Sequence, residues 1–336
     1  MTTAATAPTK RRAADQPASW VGGLVALLVL AVVSLFVGVQ DLSVRDLFSG
    51  LSEGQQLVLM VSRIPRTVAV LLAGASLAMA GLLMQLLVRN RYVEPSTVGT
   101  TESASVGVLV MTLFFPGSPV PVKMLVAVVT ALLGTWLFIR IIRSLPPKAP
   151  VVAVPLVGIM LSGVIAAGTT YVAYANDLLQ ALNTWMAGDF AGVLAGRYEL
   201  LWLLAVVGAV VWVFADRFTV ASLGKDMATG LGLNYKQTVN LGLALVAVAS
   251  GITLVVVGAI PFVGLIVPNL ISMWLGDNLR RNIGWSALFG AGFVLVCDLL
   301  ARTINFPYEV PVGTISGVLG GVVFLFLLLS GRMPTR

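Results

Sequence analysis

The sequence predicts an all-α protein that crosses a membrane about ten times, and three observations carry that prediction. Of its 336 residues, 58% are hydrophobic and 10% are charged, far below the roughly 25% charged residues of a soluble domain. Mean hydropathy is +0.98. Apolar runs recur along the whole chain, many close to the roughly 20 residues that a helix needs to cross the hydrocarbon core of a bilayer.

In order, these runs are residues 21–39, 67–87, 97–115, 122–142, 151–173, 198–214, 237–257, 262–275, 283–301 and 310–329. The first follows Lys10, Arg11 and Arg12. It exceeds the roughly 7 to 15 apolar residues of a signal peptide and no small-residue cleavage site follows, so it reads as an uncleaved span entered from the inside. The third and eighth runs are short, as expected of helices that stop inside a protein-lined cavity.

The most informative run lies between Gly251 and Gly284, where Pro261, Gly264 and Pro268 interrupt apolar sequence that would otherwise continue as helix. In hydrocarbon each unpaired backbone N–H or C=O costs several kcal/mol, so broken helices persist only where protein or a wet cavity surrounds them. The pattern points to a transporter or channel. An echo supports internal repeats of inverted topology: Gly74-Ala-Ser76-Leu77-Ala-Met-Ala-Gly81 in the second run and Gly251-Ile-Thr253-Leu254-Val-Val-Val-Gly258 in the seventh both read G-x-[ST]-L-x-x-x-G. Small residues at this spacing also serve ordinary helix packing.

Counting alternate loops from an inside N-terminus places Arg45, Arg63, Arg66, Lys123, Arg197 and Arg302 outside and the other fifteen of the 21 Lys and Arg residues inside. That bias predicts an even number of spans with both termini cytoplasmic. The net charge of +7 reflects this topology and gives no reason to expect a nucleic-acid partner. The chain has one cysteine, Cys297, set in an apolar run as a packing residue, and no histidine. Zinc sites and histidine-based acid–base catalysis are disfavoured, and no metal or catalytic residue is expected of this chain.

Leu51-Ser52-Glu53-Gly54-Gln55 looks like the signature of an ABC ATPase. No G-x-x-x-x-G-K-[ST] loop accompanies it to cradle phosphates, and it falls in an outward loop, so ATP and Mg would be handled by other polypeptides.

A wider resemblance begins at Arg63-Ile-Pro-Arg66-Thr and runs through Gly74, Gly81 and Gln85 to Arg89-Asn90, Glu94-Pro95 and Gly99. It continues in Leu223-Gly224-Lys-Asp-Met-Ala-Thr-Gly230-Leu-Gly232-Leu-Asn234, Gly258-Ala-Ile-Pro-Phe-Val-Gly-Leu-Ile-Val-Pro268, Asp298-Leu-Leu-Ala-Arg302 and Glu309-Val-Pro311-Val-Gly313. In these blocks the chain resembles the permease subunit of iron-siderophore, haem and cobalamin ABC importers. Pro268-Asn269-Leu-Ile-Ser, Gly276-Asp-Asn-Leu-Arg-Arg281 and Phe306-Pro-Tyr-Glu-Val-Pro311 look most like its ferric catecholate-type siderophore branch.

The resemblance implies a permease domain over residues 21–330 with cytoplasmic tails at 1–20 and 331–336, in the inner membrane of a bacterium. It implies a second permease, identical or paralogous, two cytoplasmic ATPase subunits and an external siderophore-binding protein as partners. Arg63, Arg66 and Arg302 would meet acidic residues of the binding protein; the alternative is that they anchor helix ends at the interface. Asp298, four residues before Arg302, would pair with it on one helix face.

Residues 216–236 would form the coupling element seated on the ATPase, with Leu223 and Met227 as apolar contacts, Lys225, Asp226 and Asn234 as polar ones, and Gly224, Gly230 and Gly232 as breaks. The alternative is a solvated loop. Asn90 and Tyr92, Val151 and Val152, and Asn269 are gate or pathway candidates. Glu102, an intramembrane carboxylate, faces a wet pathway or bonds to nearby Ser and Thr hydroxyls. The expected function is inward movement of a ferric siderophore by alternating access. Import of haem or cobalamin, or ion-coupled secondary transport through Glu102, are the alternatives.

Overall fold

A computed structural model describes residues 17–38, 50, 52–146, 153–196, 198–276 and 279–330. Among these there is no strand, and each of the ten apolar runs is helical. Helix α1 is Pro17–Phe36, followed by α2 (Glu53–Val58) and α3 (Ile64–Val88). Next come α4 (Thr100–Phe114), α5 (Val120–Ser144), α6 (Ala153–Ala175) and the short α7 (Leu179–Met186). Then follow α8 (Trp202–Val213), α9 (Ala215–Ser222), α10 (Lys225–Gly230) and α11 (Tyr235–Val256). The last three are α12 (Val263–Leu275), α13 (Leu279–Thr303) and α14 (Val312–Leu329).

Seven helices among the described residues are long and apolar enough to span a membrane, and an eighth span forms if residues 198–213 and α9, bent by 60°, count as one. The two shorter apolar helices are α4 and α12, the third and eighth runs. The ten-span expectation therefore resolves into full spans, one bent span and two short ones.

The second span departs from its expected start. Apolar helix runs from Glu53 to Val88 through a π-turn at Leu59–Arg63, whereas the charges at Arg63 and Arg66 marked an end near residue 67. Both arginines are buried and bonded, so the helix passes through them. The signature-like segment has a local job instead. Gln55 N–H donates to Ser52 Oγ at 3.3 Å and Ser52 N–H to Gln55 Oε1 at 3.0 Å, a capping box at the start of α2.

Helix α3 is the buried hub, packed against α13, α12, α11 and α8. Small residues let it approach closely. A Cβ on Gly74 would stand 2.9 Å from Gly290 C, and one on Gly81 would collide with the Gly264 backbone. Helices α1, α6 and α14 present much of their apolar surface outward, where lipid would cover it. Trp20 stacks on Trp285 at 4.2 Å between ring centroids and fixes α1 to α13.

Candidate functional site

The break between α11 and α12 is built by glycines. Gly258 has φ of +99° and Gly188 of +64°, a region that side chains disfavour. A Cβ on Gly258 would lie 2.6 Å from Trp185 O, and one on Gly313 2.7 Å from Ala259 O. Asp189 N–H donates to Val257 O at 2.8 Å and Gly313 N–H to Gly188 O at 2.9 Å. Three chain segments thus meet backbone to backbone and satisfy one another, as unwound backbone at membrane depth requires.

Beside this junction lies a cavity of about 540 Å³. Its walls come from α3, the loop before α4 and the first turn of α4, α6, the ends of α7 and α11, the break itself and the start of α14. Leu77 and Leu254, the matching leucines of the internal echo, both line it, and Ser96, Thr97, Thr101, Ser162, Ser250, Thr253 and Thr314 supply hydroxyls. Glu94 and Glu102 are the charged residues of its lining. Glu102 Oε2 is buried and has no hydrogen-bond partner. Glu102 thus lines the cavity, and its Oε2 bonds none of the nearby Ser and Thr hydroxyls.

Three side chains tie the break to the end of α3. Pro268 lies inside α12 and has no N–H for the Gly264 carbonyl four residues earlier. Gln85 Nε2 donates there instead, at 3.2 Å, and to Leu265 O at 3.3 Å. Asn269 Nδ2 donates to Arg91 O at 2.9 Å and Leu265 O at 2.8 Å. Glu94 Oε1 accepts the N–H of Phe262 at 3.1 Å, and the Gly264 and Leu265 N–H groups also bond its carboxylate. A carboxylate from 168 residues away thereby caps α12 at the positive end of its dipole. Phe262 has φ of +68°, unusual for a non-glycine residue.

The gate candidates divide. Asn90 is buried and its Oδ1 accepts the Tyr92 N–H at 2.9 Å, shaping the turn, while the Tyr92 ring meets Phe324 edge-on at 6.4 Å. Val151 and Val152 lie outside the described residues. At the same end of α3, Arg89 Nη2 donates to Leu223 O at 3.0 Å and joins the turn to α9 and α10. Leu223, Met227 and Leu231 expose apolar side chains there, and Lys225 and Asp226 are exposed beside them. Gly224 and Gly232 adopt positive φ, and Gly230 is exposed at the end of α10. Asn234 caps α11, accepting the Gln237 N–H at 3.2 Å.

At the opposite end, about 37 Å along a 25-residue helix, Arg63, Arg66 and Arg302 are all buried. Arg66 donates to Asp298 Oδ1 from Nε at 3.0 Å and from Nη2 at 2.8 Å, and grips Glu309 from Nη1 at 2.7 and 3.0 Å. Arg302 pairs with Asp298 Oδ2, as the spacing predicted. Arg302 also donates to Ser34 O and Val37 O, each at 3.1 Å, and Arg63 to Leu35 O at 2.6 Å. These two arginines satisfy carbonyls at the C-terminus of α1, where a helix leaves its last carbonyls unpaired.

Sequence reasoning assigned no role to Gln85, Glu94 or Glu309. The signal for Gln85 was available: a proline inside an apolar helix leaves a carbonyl that needs a donor.

The FecCD transport family model matches residues 26–330. The chain belongs to this family. The petrobactin import system permease protein of Bacillus subtilis is 43% identical over 92% of this chain and 97% of its own length. The ferric-anguibactin transport system permease protein of Vibrio anguillarum is 38% identical over 92% and 98%. A solved inward-facing structure of a putative metal-chelate type ABC transporter superposes with TM-score 0.81 at 25% identity, covering 94% of this chain and 100% of that one. In this FecCD-family chain the glycine junction, the cavity and the ties to α3 all lie within the matched residues.

Proposed function

We propose that this chain is the membrane permease of an ATP-driven importer that moves a ferric siderophore inward across the bacterial cytoplasmic membrane. The observation that carries the reading is the break between α11 and α12, held open beside a cavity of about 540 Å³ and tied to the α3 end. Similarity to permeases named for petrobactin and ferric-anguibactin supports the substrate class. Both termini are cytoplasmic, residues 21–330 are the permease domain, and a second permease completes the pathway.

Coupling follows a physical chain of contacts. Two ATPase subunits, which bind ATP and Mg, seat on the exposed Leu223, Met227 and Leu231. Arg89 joins that region to the turn at Asn90, and Glu94 and Asn269 join the turn to the broken helix. ATP binding shifts the pathway only through different affinity for its outward and inward states. An external binding protein docks over Arg63, Arg66 and Arg302. Because Arg66 is held by Asp298 and Glu309, acidic residues of the partner compete with Glu309, the more exposed of the two acids.

The test is uptake of a radiolabelled ferric catecholate into vesicles holding the chain with its partner subunits. Uptake is expected to require ATP, both partner types and an intact coupling surface. Joint replacement Met227→Ser and Leu231→Ser should abolish it without lowering thermal stability. Uptake by this polypeptide alone, abolished by an uncoupler, would instead favour the ion-coupled reading.

A further inference from the structure

The cavity beside the break has an unbalanced wall. Its lining contains two carboxylates and no lysine or arginine. Glu94 is satisfied: it accepts the Phe262 N–H at 3.1 Å, the Ser96 hydroxyl at 2.7 Å and further N–H groups at the start of α12. Glu102 is not. It sits in the first turn of α4, and its Oε2 is buried with no hydrogen-bond partner although hydroxyls of Ser96, Thr97, Thr101 and Ser162 share the cavity. The nearby Ser105 hydroxyl donates to the Glu102 backbone oxygen at 2.7 Å rather than to the carboxylate.

A buried carboxylate with an oxygen that no donor reaches is costly and is stabilised by whatever cation reaches it. No group of three Asp, Glu, His or Cys that could hold a metal ion occurs among the described residues. A cavity of about 540 Å³ is also far larger than a bare ion requires and is of the size of small-molecule sites. We infer that Glu102 is a specificity-determining residue that receives a protonated amine on the passing chelate, so that amine-bearing ferric chelates cross this permease in preference to uniformly anionic ones. The surrounding hydroxyls can donate to the oxygen atoms of the rest of such a ligand. This inference rests on the importer reading and names the substrate chemistry within it.

The test uses the complete system in vesicles and two ferric tris-catecholate chelates that differ in one primary amine, free in one and N-acetylated in the other. Discrimination by the binding protein is common to wild type and variants, so the readout is the change in the free-to-acetylated uptake ratio. Glu102→Gln is expected to lower that ratio about tenfold, the scale of one charge-assisted hydrogen bond. Glu102→Asp should keep most of it.

A second measurement needs no substitution. The free-amine chelate should protect Glu102 of the wild-type protein from dicyclohexylcarbodiimide, read by mass spectrometry, and the acetylated one should not. An unchanged ratio in Glu102→Gln or equal protection by both chelates would overturn the inference while leaving chelate import in place. Failure of the wild-type system to import any ferric chelate would overturn the importer reading and this inference together.

Discussion

The two ends of α3 treat charge in opposite ways. Around Arg66, two arginines share the fully buried Asp298, and Glu309 accepts from Arg66 Nη1, so each carboxylate has a cation. Around the break, the Glu102 carboxylate has an oxygen with no partner, and most other contacts run between neutral side chains and backbone. The difference separates a fixed anchor from a surface left incomplete for a ligand. A buried pair with both partners present holds three helices in one arrangement, whereas a cavity wall with an unmet acceptor gains by binding something that comes and goes.

The largest expected effect breaks the anchor. Asp298→Ala leaves Arg66 and Arg302 buried without their shared carboxylate and should cost about 3–5 kcal/mol, the range for breaking a buried pair from one side. Thermal unfolding in detergent would show it as a large fall in Tm, and a fall no greater than that of a surface variant would contradict the anchor. A smaller effect is expected at the break. Gln85→Leu removes the donor to the carbonyl that Pro268 orphans and should cost about 1–3 kcal/mol. Hydrogen exchange should rise locally over α12 and leave α13 unchanged; uniform change across both would mean that the break is not a separate unit. The smallest effect belongs to Asp216→Asn, which removes the exposed pair to Arg280 at 2.9 Å and should shift stability by less than about 1 kcal/mol, vanishing at high salt.

The helices were legible because hydrocarbon demands long apolar runs: residues 237–257 became Tyr235–Val256 and 262–275 became Val263–Leu275. The break was legible in part: Pro261 lies in it, whereas Gly264 and Pro268, expected to interrupt the helix too, sit inside α12, where Gln85 supplies a donor to the carbonyl that Pro268 leaves. The spacing of Asp298 and Arg302 also showed their pairing. Periodicity identifies a face and says nothing of what meets it. The bonds from Arg66 to Asp298 and from Phe262 to Glu94 cross 232 and 168 residues of chain, and no local pattern encodes them. For Arg63 and Arg66, charge in sequence suggested an exposed helix end, yet packing against α1 and α13 buries both. Leu231 shows the converse. It lay between two glycines in a stretch where Leu223 and Met227 drew attention, and only the turn after α10 reveals it on the same exposed edge.

The central claim is that interrupted helices enclose water at membrane depth, and the chain's single cysteine makes this directly measurable. Cys297 is buried against the anchor. A water-soluble maleimide should leave it unreacted in sealed and permeabilised vesicles alike. Ser162→Cys, placed on the cavity wall in a Cys297→Ala background, should react readily, because a thiol forms its reactive thiolate only where water reaches it. Labelling at position 162 in the folded protein is the result this account predicts; a thiol there that stays unreactive until the protein is denatured would contradict it.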